Sequence, residues 1–83
     1  MNENILLLEL ISLTSHDSYK VAWFEVEGPN GSFTICLGHT PITSIIKKKS
    51  ILNYQLLDGT THALDLAGGS MVLTSNIATL FLD

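Results

Sequence analysis

The sequence predicts an all-β fold, a small two-layer β-sandwich of short, mostly antiparallel strands. Seven or eight short apolar stretches follow one another at intervals of about eight to ten residues, and turn signals rich in glycine, proline or asparagine separate them. Several stretches alternate apolar and polar residues, as strands with one face in a core do. No stretch shows a helical period of convincing length. At 83 residues the chain is expected to form a single domain, over positions 1–83.

A strong turn signal divides the first half of the chain. Strands are predicted over Ile5–Ile11, an aliphatic run followed by a serine-rich loop, and over Tyr19–Glu27. The turn Gly28–Gly31 (Gly-Pro-Asn-Gly) contains three residue types that favour turn geometry. It should join the second strand to Ser32–Leu37 as a hairpin.

The segment Tyr19–Glu27 alternates with a period of two. We expect one face to carry Ala22, Phe24 and Val26 and the other face to carry Val21, Trp23, Glu25 and Glu27. Trp23 therefore shares its face with two acids. It either packs under a neighbouring loop or at the edge of the sandwich, or it contacts a partner, because tryptophan is favoured in the buried centres of interfaces.

The second half of the chain continues the pattern of strands and turns. Further strands are predicted over Ile42–Ile46, Ile51–Leu57, Thr60–Ala67, Met71–Thr74 and Ile77–Leu82. Between two of them, Asp58-Gly59 is typical of a type I′ hairpin, whose central residues take positive φ. The basic run Lys47, Lys48 and Lys49 is predicted to form a solvated corner, with contact to an acidic patch of a partner as the alternative.

The stretch Gly31–Pro41 carries most of the information on function. A buried strand is predicted over Phe33–Leu37, so that Cys36 should be an inert, buried thiol, and Gly38 is expected at positive φ. His39 then occupies an exposed corner. Its ring either bonds a nearby carbonyl and fixes the turn, or contacts a polar loop of a partner.

Composition excludes several classes of function. The net charge of −4 argues against nucleic-acid binding, and no apolar run approaches the length of a membrane span. The first residues, Met1–Asn4, lack the basic region of a secretory signal, and the single cysteine suits a reducing compartment. With 46% hydrophobic and only 14% charged residues, we expect a partner to cover part of the surface.

The sequence gives no support for an enzyme. The three histidines, His16, His39 and His62, are far apart in the chain, and none has the spacing of a metal-ligand pair. Gly68-Gly69 lacks the lysine of a phosphate-binding loop. We therefore expect no catalytic residue, no metal and no cofactor.

The order of these motifs resembles the epsilon subunit of F-type ATP synthases over essentially the whole chain. The resemblance is carried by Gly31-Ser-Phe-x-Ile-x-x-Gly38-His39-Thr-Pro41, then Thr43–Lys47, Asp58-Gly59, Gly68-Gly69 and the final Thr79–Asp83. The corresponding family runs are Gly-Glu, Gly-His-Ala-Pro, Leu-Lys-Pro-Gly, Asp-Gly, Ser-Gly-Gly and Val-Thr-Val-Leu-Ala-Asp. Ser32 stands where the family has glutamate.

The resemblance implies a non-catalytic subunit of the central stalk, or rotor, that binds the gamma subunit and the c-ring and helps couple ion flow to ATP synthesis. Carried over by position, Gly31, Ser32, Gly38 and His39 would face the c-ring, and Ser44 would lie towards gamma. The implied location is peripheral, on the cytoplasmic face of the bacterial inner membrane or its organellar equivalent. The family's C-terminal helical hairpin, which brakes ATP hydrolysis, has no counterpart in this sequence. The alternative is a divergent stand-alone β-sandwich that binds another protein.

Overall fold

The computed structural model describes residues 5–83, which form eight strands. The expectation about Met1–Asn4 lies outside the described residues. The strands are β1 (Leu6–Ile11), β2 (His16–Gly28), β3 (Gly31–Cys36), β4 (Ile42–Ile46), β5 (Ser50–Leu56), β6 (Thr61–Leu66), β7 (Gly69–Thr74) and β8 (Ile77–Leu82).

All eight strands belong to one mixed sheet. Its order is β4-β7-β8-β1-β2-β5-β6, with β3 paired to β2, and every pair is antiparallel except β1 with β8. The sheet curls around the core, so that its edge strand β4 approaches β2. The amide of Lys47, which follows β4, donates to the carbonyl of Glu27 in β2 at 2.8 Å. The predicted all-β fold of short, mostly antiparallel strands is confirmed.

Strand β2 belongs to both halves of the sheet. Its first half pairs with β1, and its second half pairs with β3 on the same edge and with β5 on the other. Opposite β5, Val21 faces Leu56 but Trp23 faces Gln55, so Ala22 is an extra residue. This β-bulge bends the strand and shifts its alternation by one position.

Because of the bulge, the residues on each face of β2 differ from the predicted ones. Val21 and Phe24 are both buried, whereas Ala22 is exposed. The strict period of two expected for this segment is therefore wrong before Trp23 and right after it. The physical reason is that a bulged residue is left out of the pairing, and the next side chains exchange faces.

Each of the eight strands contributes to a single core. Its members are buried apolar side chains, at most 8% exposed, and they are Leu6, Leu8, Leu10, Val21, Phe24, Val26, Ile35, Ile46, Leu52, Tyr54, Leu66, Met71, Leu73, Ala78 and Leu80. The buried hydroxyl of Ser50 donates to the carbonyl of Lys47 at 2.7 Å, so this polar group is satisfied. Burial raises the pKa of the Tyr54 hydroxyl, with the neighbouring Tyr19 adding to the effect.

One hairpin turn differs in type from its sequence signal. The type I′ turn predicted at Asp58-Gly59 is wrong: the loop has three residues, Leu57–Gly59, and only Gly59 takes positive φ, at 94°. The amide of Gly59 donates to the Leu56 carbonyl at 3.0 Å, as in a turn followed by a glycine bulge. The type I′ geometry occurs instead at Ser75 and Asn76, with φ of 52° and 63°.

Candidate interaction surfaces

The two turns expected to share one end of the molecule lie at opposite ends of β3. Gly31 is the first residue of this strand, and Gly38 follows its last residue by two positions. Both glycines take positive φ, 124° and 84°, as expected for Gly38. Five steps along an extended strand separate the ends of β3 by about 17 Å. Ser32 and His39 are therefore not brought together.

The β2–β3 hairpin collects several of the predicted residues at one end. Ser32 pairs with Glu27, whose carboxylate lies 3.8 Å from the Lys47 ammonium. A Cβ atom added to Gly28 would lie 3.3 Å from the Ser44 hydroxyl, so β4 packs directly on this hairpin. Ser44 itself is half-buried, and its hydroxyl donates to the Ile45 carbonyl at 3.0 Å.

The lysine run forms an exposed corner beside this hairpin. Lys47, Lys48 and Lys49 are all exposed, and Lys49 takes a left-handed backbone conformation with φ of 56°. The predicted solvated corner is what the structure contains. The pair of Lys47 with Glu27 is exposed, and such pairs contribute little to stability. The charges of this corner are therefore open to a partner.

The turn with Gly38 and His39 packs against the β7–β8 turn. The amide of Gly38 donates to the side-chain oxygen of Asn76 at 2.8 Å, and the amide of His39 donates to the Cys36 carbonyl at 3.2 Å. The His39 ring nitrogen Nδ1 donates to the Thr40 carbonyl at 2.7 Å. The histidine thus makes the local carbonyl bond that was one of its two expected roles. Its contact with a partner stays a prediction.

An apolar surface covers the outside of β4, β7, β8 and β1. Neighbouring strands place Ile45 opposite Ser70, Ser70 opposite Phe81, and Phe81 opposite Ile11, while Ile77 lies opposite Leu7. We call this surface the apolar face; its members are the outward side chains of Leu7, Ile11, Ile45, Val72, Ile77 and Phe81. Ile45 is 62% exposed and Phe81 47%. The composition predicted a covered surface, but the sequence did not identify these residues as its members.

The outside of β3, β2, β5 and β6 is polar. On this outer surface, Trp23, Glu25 and Glu27 of β2 lie opposite mostly polar residues of the neighbouring strands β3 and β5. Trp23 is half-buried on this polar face. Cys36 pairs with Trp23 and is exposed, so the expectation of a buried thiol is wrong. The reason is alternation: Ile35 takes the inward position of β3, and its neighbour must point outward.

The described residues contain no constellation suited to nucleophilic catalysis or metal binding. No group of three or more His, Cys, Asp or Glu side chains within residues 5–83 could hold a metal ion. The Thr60 hydroxyl donates to Asp58 at 2.7 Å and lies 3.2 Å from His62 Nε2. The hydroxyl thus stands between acid and imidazole, whereas a triad requires the imidazole in the middle. Hydrogen bonds from the Thr60 amide and hydroxyl lower the pKa of Asp58, which fits a turn-stabilising role.

No helix in the described part of the chain has the length and apolarity needed to cross a membrane. No protein-family model matches the sequence. Among solved structures, the fold is similar to that of a chain in the cryo-EM structure of the Euglena gracilis mitochondrial ATP synthase, OSCP/F1/c-ring in rotational state 1. The TM-score is 0.87 over 99% of this chain, with 14% sequence identity. The protein spans about half, 52%, of the chain that it matches. At this identity the likeness shows a shared fold.

Proposed function

We propose that this protein is a non-catalytic rotor subunit of an F-type ATP synthase, equivalent to the sandwich domain of an epsilon subunit. In this role it binds the gamma subunit and the c-ring, contributes to the coupling of ion flow to ATP synthesis, and is held peripherally at the membrane by the complex. The observation that carries the proposal is the fold shared, over 99% of the chain, with a chain of an ATP synthase. The collinear motifs of the sequence support the same assignment.

The apolar face supplies a surface for the gamma subunit. A small domain that exposes neighbouring apolar side chains over four strands gains stability when a partner removes them from water. Ile45 and Phe81 occupy one cross-strand row of this face, through Ser70. Ser44, expected to lie towards gamma, precedes Ile45 in β4, but its side chain points to the other side of the strand, towards Gly28 of the β2–β3 hairpin. The gamma contact is therefore assigned to the apolar face on the exposure of Ile45 and Phe81.

The contact with the c-ring is assigned to the β2–β3 hairpin. Ser32 and His39 lie at opposite ends of β3, so a contact with the ring that includes both turns would extend along the whole strand. The hairpin turn, with Gly31 and Ser32, is exposed and has the Lys47–Lys49 corner beside it. The His39 turn is exposed as well, so the choice of the hairpin depends on the charges of the lysine corner. Polar loops of the ring would meet a charged, protruding end at the hairpin.

Co-purification with tagged gamma subunit of the same synthase tests the proposal. The wild-type chain should elute with gamma in equal amounts, and Phe81→Glu should abolish this, because it places a charge in the centre of the apolar face. Leu57→Glu, in the exposed β5–β6 turn, is the matched control and should still co-purify. Failure of the wild-type chain to bind gamma or the assembled complex would refute the proposal.

A further inference from the structure

Trp23 lies between two grooves on the outside of β2. Two shallow grooves flank this side chain, and both have Trp23 and Glu25 in their walls. One continues over Asn53, Thr61, His62 and Ala63 towards β6, and the other runs over Thr34 and Cys36 of β3. The side chains of Trp23 and Glu25 thus line the same two grooves, which are open to solvent.

The charges of this face are unbalanced. Glu27 at its edge is paired with the Lys47 ammonium, 3.8 Å away. Glu25 lies two positions earlier on the same face, and within residues 5–83 no lysine, arginine or histidine nitrogen lies within 4.0 Å of it. Its contact with the Asn53 amide, at 3.5 Å, is long and neutralises no charge. Asp65 lies on the same face at β6, and the chain carries a net charge of −4.

We infer that the grooves beside Trp23 bind a basic segment of a partner protein, with one arginine or lysine side chain on the indole and its charge against Glu25. A cation over a tryptophan face is attracted by the ring, and an adjacent carboxylate adds to the attraction. Arginine suits the site best, since its planar guanidinium stacks on aromatic rings and bonds carboxylates in two places. The Lys47–Glu27 pair already shows a cation docked on a carboxylate of this face.

This site is separate from the apolar face proposed for gamma, and it lies on the same β2–β3 hairpin as the proposed c-ring contact, which uses the turn end of that hairpin. The apolar face belongs to β4, β7, β8 and β1, whereas Trp23 and Glu25 lie on the outside of β2 between β3 and β5. The inference therefore does not depend on membership in a synthase. It requires only the isolated chain and a basic ligand.

Tryptophan fluorescence reports directly on this site, because Trp23 is the only tryptophan in the chain. The probe is a blocked peptide, acetyl-Gly-Arg-Arg-Gly-amide, and the control is the same peptide with citrulline in place of arginine. Titration of the full chain at low salt should give a saturable change in Trp23 emission with the arginine peptide. The citrulline peptide, which has the same shape without the charge, should give none.

Two variants with equal net charge distinguish binding at Glu25 from nonspecific attraction of the basic peptide to the acidic chain. Glu25→Gln should raise the dissociation constant of the arginine peptide about two- to fivefold, as loss of an exposed ion pair does. Glu9→Gln, on the outside of β1, should leave it unchanged. Circular dichroism checks that both variants fold. Absence of saturation, equal binding of the citrulline peptide, or equal weakening by both variants would overturn the inference.

Discussion

Gly38 and Gly69 both require glycine, but for different physical reasons. Gly38 takes φ of 84° and has open space where a Cβ atom would lie. Gly69 takes φ of 143°, and a Cβ atom there would overlap the backbone carbonyl of Phe81 on the neighbouring strand. The first position requires glycine for its backbone conformation alone. The second requires it also because two strands approach each other closely.

The two glycines should therefore respond differently to the same substitution. Gly38→Ala is expected to lower the free energy of unfolding by about 1–2 kcal/mol, the cost of a left-handed conformation for a residue with a Cβ atom. Gly69→Ala should cost more than about 4 kcal/mol, because β8 must move away from β7. Urea denaturation measures both values. Equal costs would show that the close approach at Gly69 relaxes easily.

Strand β2 is the element that decides the shape of the sheet. It is 13 residues long and pairs with β1, β3 and β5, so it connects both halves of the molecule. The bulge at Ala22 allows Val21 and Phe24 to reach the core from the two halves. A regular strand would bury one of these side chains and expose the other.

Removal of the bulge should be far more harmful than a change of its side chain. Deletion of Ala22 is expected to abolish cooperative unfolding, because either Val21 and the residues before it, or Phe24 and Val26, must turn to solvent. Ala22→Ser keeps the backbone and should change the free energy of unfolding by less than about 0.5 kcal/mol, since Ala22 is exposed. Thermal unfolding followed by circular dichroism distinguishes the two. A stable deletion variant would mean that the bulge can migrate along β2.

The molecule as a whole depends on pairing between the two ends of the described chain. β8 pairs in parallel with β1, and Leu80 of β8 is fully buried in the single core. A domain of this size has a thin margin of stability, so the loss of one central side chain affects the entire fold. Leu13, in the loop between β1 and β2, is by contrast fully exposed.

Truncation of these two leucines measures that dependence. Leu80→Ala should lower the free energy of unfolding by about 3–5 kcal/mol through lost burial and a residual cavity. Leu13→Ala should change it by less than about 0.5 kcal/mol. Urea denaturation measures both changes in the free energy of unfolding, with the same dependence on urea concentration used for each variant. A small effect at Leu80 would indicate that the core collapses around the missing side chain.

Strand positions and several turns could be predicted from the sequence alone. Alternation predicted the strands, and in β5 the buried Leu52 and Tyr54 do alternate with outward neighbours. The Gly-Pro-Asn-Gly signal correctly predicted the β2–β3 hairpin, and Gly38 has its expected positive φ. These features depend on the conformational preferences of a few adjacent residues.

The order of the strands in the sheet, and the face of each strand that is buried, required the tertiary structure. The parallel pairing of β1 with β8, the bulge at Ala22 and the exposure of Cys36 arise from contacts between segments far apart in the chain. For the site, the resemblance assigned Ser32 and His39 to one partner surface, and only the structure shows that they lie at opposite ends of β3; their contact with a partner stays a prediction. Alternation fixes two faces for each strand. Which face is buried depends on the strands that pack beside it, and a single extra residue in β2 reverses the assignment.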